Sequence, residues 1–212
     1  MILVSQWYTP EDPVRRSELS WCREFNDGNF EKCDYLEGWH TFGDLVRHCD
    51  REYPHTPCVI ANADVTIHGN MFQWIRVGRL VALTPWDNPH HPRFMGHSYG
   101  DKIYSGAQDA WAFIAGTLPE VNVEIPMGHV GCDQLIVGWA VRQGLGVVNP
   151  CFDVRVTHHH KTPSESRSRR PLFGYFGYPE LGAGGSVMAH EWSEDDSKRC
   201  YNWEYHPCRK SR

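Results

Sequence analysis

Four short segments combine residue types that do chemistry. The first is Val59-Ile60-Ala61-Asn62-Ala63-Asp64-Val65, an apolar run ending in Asn-x-Asp. In open α/β sheets, ligands gather outside the carboxyl ends of strands. An Asp there is placed to hold a hard divalent cation, which prefers oxygen ligands. Asn and Asp after a strand also serve as plain turn formers, so the segment alone leaves both readings open. The second segment is Thr157-His158-His159-His160. On a strand, His158 and His160 share one face and His159 takes the other. Imidazoles on one face suit a metal, and a solvated cluster at a strand's end is the alternative. The third, Gly131-Cys132-Asp133-Gln134, opens a helix. The macrodipole stabilises an acid there, and the rigid position is also what a general base needs. By that dipole alone, the Asp133 carboxyl is expected to be lowered and ionised. The fourth is split between Trp86-Asp87 and Ser105-Gly106-Ala107-Gln108-Asp109-Ala110-Trp111. Indoles stack on sugar and base faces, but the chain's 9 Trp also fit a packed core. Trp111 and Trp139 read as core. Trp86, between Pro85 and Asp87, reads as a pocket residue.

Composition bounds what these segments can serve. A length of 212 residues fits one domain with a sizeable core. The net charge of −5 argues against a basic coat over the whole molecule. It leaves room for a local basic patch. Hydrophobic residues at 41% and charged residues at 22% place the chain among globular proteins. No apolar run approaches the roughly 18 residues of a membrane span. Met1 to Gln6 has no basic region ahead of its apolar residues, so it reads as a strand and not a signal peptide. A cytoplasmic protein with no membrane partner is the expectation. The 8 Cys include no Cys-x-x-Cys pair and read as reduced, mostly buried thiols. Cys200 with Cys208 is the exception placed to clip the tail.

The elements that must position these groups follow from periodicity and turn chemistry. Strands are expected at 2–7, 30–36, 57–61, 80–83, 110–114, 147–148 and 154–157. Helices are expected at 15–25, 41–53, 71–77 and 132–143, and residues 88–100 read as a loop. Thr41 and Asp44 have capping-box spacing. Strands alternating with helices imply an α/β sandwich with a mostly parallel central sheet. Residues 1–160 form the expected catalytic unit, and 161–212 a loop or lid and tail packed on the same domain. Lys161, Arg167, Arg169 and Arg170 make a local basic stretch, either a solvated loop or a lid for phosphates.

In this order and spacing, the segments resemble a family of small GT-A-fold nucleotide-sugar glycosyltransferases, soluble and of bacterial or phage type. The resemblance covers most of residues 1–170. It runs through Trp7-Tyr8; Arg15, Glu18 and Asn26; Thr41-Phe42-Gly43-Asp44-Leu45; and Ile60 to Val65. It continues through Ala82 to Asp87, Gln108 to Trp111, Gly131 to Gln134, Asn149-Pro150 and the His run. The family more typically has Asn-Ser-Asp-Ile at 62–65 and Gly-Cys-Asp-Asn at 131–134; both departures spare the acids.

The resemblance implies a Rossmann-type GT-A sandwich and a transferase that moves sugar from a nucleotide-sugar, UDP-linked first, to an acceptor hydroxyl. Asp64 would hold Mn²⁺ or Mg²⁺, with His158 and then His160 completing the metal site. The metal would neutralise the leaving diphosphate. Asn62 in place of Asp lowers the site's negative charge and leaves room for a metal-independent member. Asp133 would be the base of an inverting reaction, with Asp109 gripping hydroxyls or next in line as base. Trp7, Tyr8, Arg15, Asn62, Asp64 and Trp86 would border the donor. The acceptor would be a glycan or a hydroxymethylated base in DNA. The same Asp and His types could instead build a metal-dependent nuclease or hydrolase, or a non-catalytic sugar-binding module.

Overall fold

The computed structural model describes residues 1–88, 91–92, 98–99, 102–105, 107–122, 124–129, 131–159 and 187–188. Along the first half run β1 (Ile2–Trp7), α1 (Pro13–Asp27), β2 (Lys32–Glu37), α2 (Phe42–Glu52), β3 (Pro57–Ala61), β4 (Val65–His68), β5 (Arg79–Leu83) and β6 (Pro85–Asn88). Then come β7 (His91–Pro92), β8 (Ser98–Tyr99), β9 (Lys102–Ser105), β10 (Ala110–Ile114), α3 (Cys132–Arg142), β11 (Gly146–Val148), β12 (Arg155–His158) and β13 (Val187–Met188). The central sheet has six strands in the order β11-β5-β10-β3-β1-β2. It is parallel except for β10, which runs antiparallel to both neighbours. A second sheet, β4-β12-β6-β7, and a small third, β13-β9-β8, accompany it. The architecture is therefore mixed α/β with a mostly parallel central sheet.

Side-chain alternation explains the two faces of that sheet. Ile2, Val4, Cys58 and Ile60 turn to one face, under α2 and α3. Leu3, Val59 and Ala61 turn to the other, against β4, β12 and residues 71–75. Being buried on both faces is why β3 reads as an unbroken apolar run. Trp111 and Trp139 are core, as expected, each edge-on to Phe42 at about 6 Å.

The helix ends follow local chemistry. α1 begins earlier than its apolar stripe suggests, because Asp12 caps it by accepting from Val14 N and Pro13 occupies its first position. α2 carries the expected capping box: Thr41 Oγ1 accepts from Asp44 N, and Asp44 accepts from Thr41 N. Gly131, ahead of α3, has φ +92°, a conformation glycine adopts without penalty.

Two expectations need correction. Residues 71–77 are not a helix but turns, closed by bonds such as Trp74 N to Met71 O. Met71, Trp74 and Ile75 are buried there, so the helix-like spacing reflects a turn pressed onto the sheet. Residues 88–100 are not wholly loop, since β7 and β8 lie within them. β4, unforeseen, starts directly after Asp64. The edge of β4 is closed by Asn26 of α1, whose Nδ2 donates to Val65 O and whose Oδ1 accepts from Ile67 N. That carboxamide takes the place of a neighbouring strand.

Among the described residues, no helix is long and apolar enough to cross a membrane. Cys22, Cys33, Cys49, Cys58, Cys132 and Cys151 are free thiols. Cys200, Cys208 and the basic stretch from Lys161 to Arg170 lie outside the described residues, as does most of 161–212.

Candidate functional site

Sheet polarity gathers the chemical residues at one edge. β1, β3 and β5 end there, and antiparallel β10 begins there, with Ala110 opposite both Ala61 and Leu83. Asn62, just past β3, therefore lies beside Asp109, just ahead of β10. Asn62 N donates to Asp109 O at 3.0 Å, and Asn62 Nδ2 donates to Asp109 Oδ1 at 2.8 Å. Asp109 N donates in turn to Leu83 O at 3.1 Å. Asn62 Oδ1 is buried and has no hydrogen-bond partner among the described residues.

The chain then steps from the central sheet into the second. There β12 pairs antiparallel with β4, placing His158 opposite Val65. His159 N donates to Asp64 O, locking the end of β12 to the Asn-x-Asp segment. His158 Nε2 lies 3.0 Å from Asp64 Oδ2, and its Nδ1 lies 3.9 Å from Asp109 Oδ2. From α1, Arg15 Nη2 donates to Asp64 Oδ2 at 2.5 Å, while its Nη1 donates to Glu18 and to His159 O, both at 3.1 Å. Burial works against the Arg15 charge, but Asp64 and Glu18 outweigh it and raise its pKa. Among the described residues, the group holds the carboxylates of Asp64, Glu18 and Asp109 beside the Arg15 guanidinium.

Asp133 adds a fourth carboxyl. Its Oδ1 accepts from Gln134 N at 3.0 Å, and its Oδ2 from Gln108 N at 3.3 Å. The expected lowering by the helix dipole is reversed. Burial, and then the charge of Asp109, push this carboxyl up to about 7, against the pull of the two backbone N–H groups. A group titrating there can exchange a proton near neutral pH.

The other expected residues are distributed differently. His159 turns away from His158, with its Nε2 3.0 Å from Thr66 Oγ1 and its ring edge-on to Trp21. His160 lies outside the described residues. Trp7 points to the α1 side, edge-on to Tyr35 and under the Arg23 guanidinium. Trp86 is built into the second sheet, with Nε1 donating to Cys151 O and Arg155 over its ring, so its indole serves packing. Tyr8 stacks on Trp39 with ring centroids 5.5 Å apart and planes within 17°. Trp39 is 55% exposed and was missed in the sequence. The signal for it was an aromatic residue just past the carboxyl end of β2, the strand next to β1. Gly128, on the segment leading to α3, fits against this pair: a Cβ there would come 3.7 Å from the Trp39 ring.

Among the described residues, no group of three or more His, Cys, Asp or Glu is gathered to hold a metal ion. At this edge of the sheet Asp64 and His158 offer an adjacent oxygen and nitrogen. No protein-family model and no curated protein matches the chain.

Proposed function

We propose that this protein is a glycosyltransferase that moves a sugar from a nucleotide-sugar, a UDP-sugar first, to an acceptor hydroxyl. The observation that carries the reading is Asp133. Its carboxyl is held by two backbone N–H groups and raised to about 7, at the sheet edge that also gathers Asp64, Asp109 and His158. A carboxyl so placed can take the proton of a hydroxyl as its oxygen attacks an anomeric carbon, which is the work of the base in an inverting transfer. The GT-A reading of the fold draws support from the parallel sheet and from the clustering of separate sequence segments at its carboxyl edge.

The chain's residues divide the remaining tasks. Tyr8 and Trp39 offer aromatic surface for a nucleobase, since flat rings stack well. Asn62, with its unspent Oδ1, offers an acceptor to a donor hydroxyl. Asp64 and His158 would hold Mn²⁺ or Mg²⁺. Their donor atoms are 3.0 Å apart, about the separation of neighbouring ligands on an ion with bonds of roughly 2.1 Å. With only two described ligands, the shell would be filled by water and the substrate's phosphates, as hard divalent ions commonly are. Such an ion supplies positive charge to the leaving diphosphate. Arg15 holds the Asp64 carboxylate in place. The acceptor is a glycan or a hydroxymethylated base in DNA.

The test is incubation with a panel of nucleotide-sugars and both acceptor classes, with Mn²⁺ and with EDTA, followed by mass spectrometry. Transfer from one donor, lost in the Asp133→Asn variant, is the expected result. Absence of both transfer and donor hydrolysis across the panel, with no nucleotide-sugar bound by calorimetry, would sink the proposal.

A further inference from the structure

Gln6 is the last side chain of β1 to turn to the α2 and α3 face, following Ile2 and Val4. It is only 4% exposed, a polar side chain buried at the edge of the sheet where ligands gather. Its Oε1 accepts from His40 N at 3.3 Å. That bond sets which way the carboxamide faces, because the reverse placement would put its NH₂ against another N–H. Among the described residues, no acceptor takes a bond from Gln6 Nε2.

Those unspent N–H groups border the aromatic pair. A Cβ on residue 128 would lie 3.4 Å from Gln6 Nε2 and 3.7 Å from the Trp39 ring. Among the described residues, no other atom outside the adjoining chain comes within 4 Å of that point. Gly128 has φ +74°, which by itself favours glycine. Its consequence is an open place with amide donors on one side and an indole on the other. The walls are held in register, since Met127 N donates to His40 O and so ties the segment of Gly128 to the loop of Trp39.

We infer that Gln6 selects the base of the nucleotide, and that it selects a ring carbonyl oxygen over an amino group. This deepens the nucleotide-sugar reading and rests on it for a base seated at Tyr8 and Trp39. Stacking does not choose among bases, since every base has a flat π-face. A carboxamide with both ends unspent could meet either a carbonyl or an amino group. With Oε1 held by His40 N, Gln6 offers donors alone. Uracil and cytosine have the same size and differ on their rims at ring position 4, a carbonyl oxygen in one and an amino group in the other. The oxygen accepts from Gln6 Nε2. The amino group would meet it donor to donor and leave both unpaired in a buried place. Uridine nucleotides are therefore taken and cytidine nucleotides refused.

The experiment measures UDP and CDP binding by calorimetry in the full chain at pH 8, with thermal unfolding as the check on the fold. The unaltered protein should prefer UDP by roughly tenfold or more, the usual worth of such a bond and its mismatch. Gln6→Met removes the donors and should bring UDP affinity down to that of CDP. Gln6→Glu keeps an acceptor for His40 N but turns an oxygen toward the base, and should reverse the preference. It also decides the matter should Gln6→Met fail to fold. Trp39→Ala should weaken both nucleotides alike. Equal binding of UDP and CDP by the unaltered protein, or a UDP preference that persists in folded Gln6→Met and Gln6→Glu, would overturn the inference. Transfer from CDP-sugars as readily as from UDP-sugars would overturn it while leaving the transferase reading in place. A preference that follows Gln6 in a chain with no transfer to any acceptor would uphold base selection and sink the transferase reading instead.

Discussion

Asp34 and His48 make nearly the same contact as Asp64 and His158. An imidazole Nε2 lies 2.8 Å from a carboxylate oxygen in the first pair and 3.0 Å in the second. Each carboxylate oxygen takes a further donor: the Tyr53 hydroxyl at Asp34 and the Arg15 guanidinium at Asp64. All four side chains are largely buried. Position on the sheet separates the pairs. Asp34 lies in the first half of β2, and its partners come from the end of α2, which has returned along the sheet toward the start of the strands. That cluster pins helix to strand. Asp64 follows the carboxyl end of β3, where three other segments converge and where backbone leaves the sheet with room for a ligand. The same residue types thus serve packing at one end of a parallel sheet and are available for chemistry at the other.

The largest expected effect breaks that comparison on rate. Asp133→Asn should lower transfer by about 10²–10⁴-fold, the usual contribution of a positioned base, with donor affinity by calorimetry nearly unchanged. Asp34→Asn should leave transfer at the level of the unaltered protein in the same assay. A loss of transfer in Asp34→Asn with the fold intact would put both pairs in the working site.

A second effect is on stability. Asp34→Ala removes the acceptor of the His48 and Tyr53 bonds and should cost about 2 kcal/mol in chemical denaturation. Arg15→Met takes the guanidinium away from the Asp64 and Glu18 carboxylates, both little exposed, and should cost about 3 kcal/mol. Equal and negligible losses in both would show that neither cluster is held as tightly as its geometry suggests.

The smallest effect distinguishes two carboxyls by the sign of their pH dependence. Burial pushes Asp34 up, but its bonds to Tyr53 and His48 outweigh that and hold it below the usual 3.8. Its stabilisation is present above the unfolded value and is lost as acid takes the pH down through the lowered folded value. Asp133 works the opposite way. Its folded value of about 7 lies above 3.8, so its contribution is whole below pH 3.8 and is lost as pH rises to about 7. Thermal unfolding across pH 3–8 should show Asp133→Asn flattening the decline between pH 4 and 7, leaving an inactive protein more stable than its parent at pH 8. Asp34→Asn should flatten only the acid limb. An Asp133→Asn curve parallel to that of the parent would mean the carboxyl is not raised.

The sequence by itself determined the elements whose signals are local. The apolar run at 57–61, the Thr41–Asp44 cap and the stripe of α1 needed only neighbouring residues to be recognised. The mostly parallel α/β class followed from their alternation. It also marked Asp64, Asp109, Asp133 and His158 one by one, with a structural explanation standing beside the chemical one. Only tertiary structure chose among those explanations, because the decisive contacts join residues far apart in the chain. Asn62 and Asp109 are 47 positions apart, and Asp64 and His158 are 94. The same holds where expectation failed. Residues 71–77 have helical spacing yet form turns, since burial against a sheet can produce that spacing without a helix. Trp86 neighbours an acid yet packs under Arg155. The dipole at the start of α3 predicts a lowered Asp133 carboxyl, and burial beside Asp109 raises it. Burial and through-space charge depend on what the fold brings alongside, and no local pattern carries that.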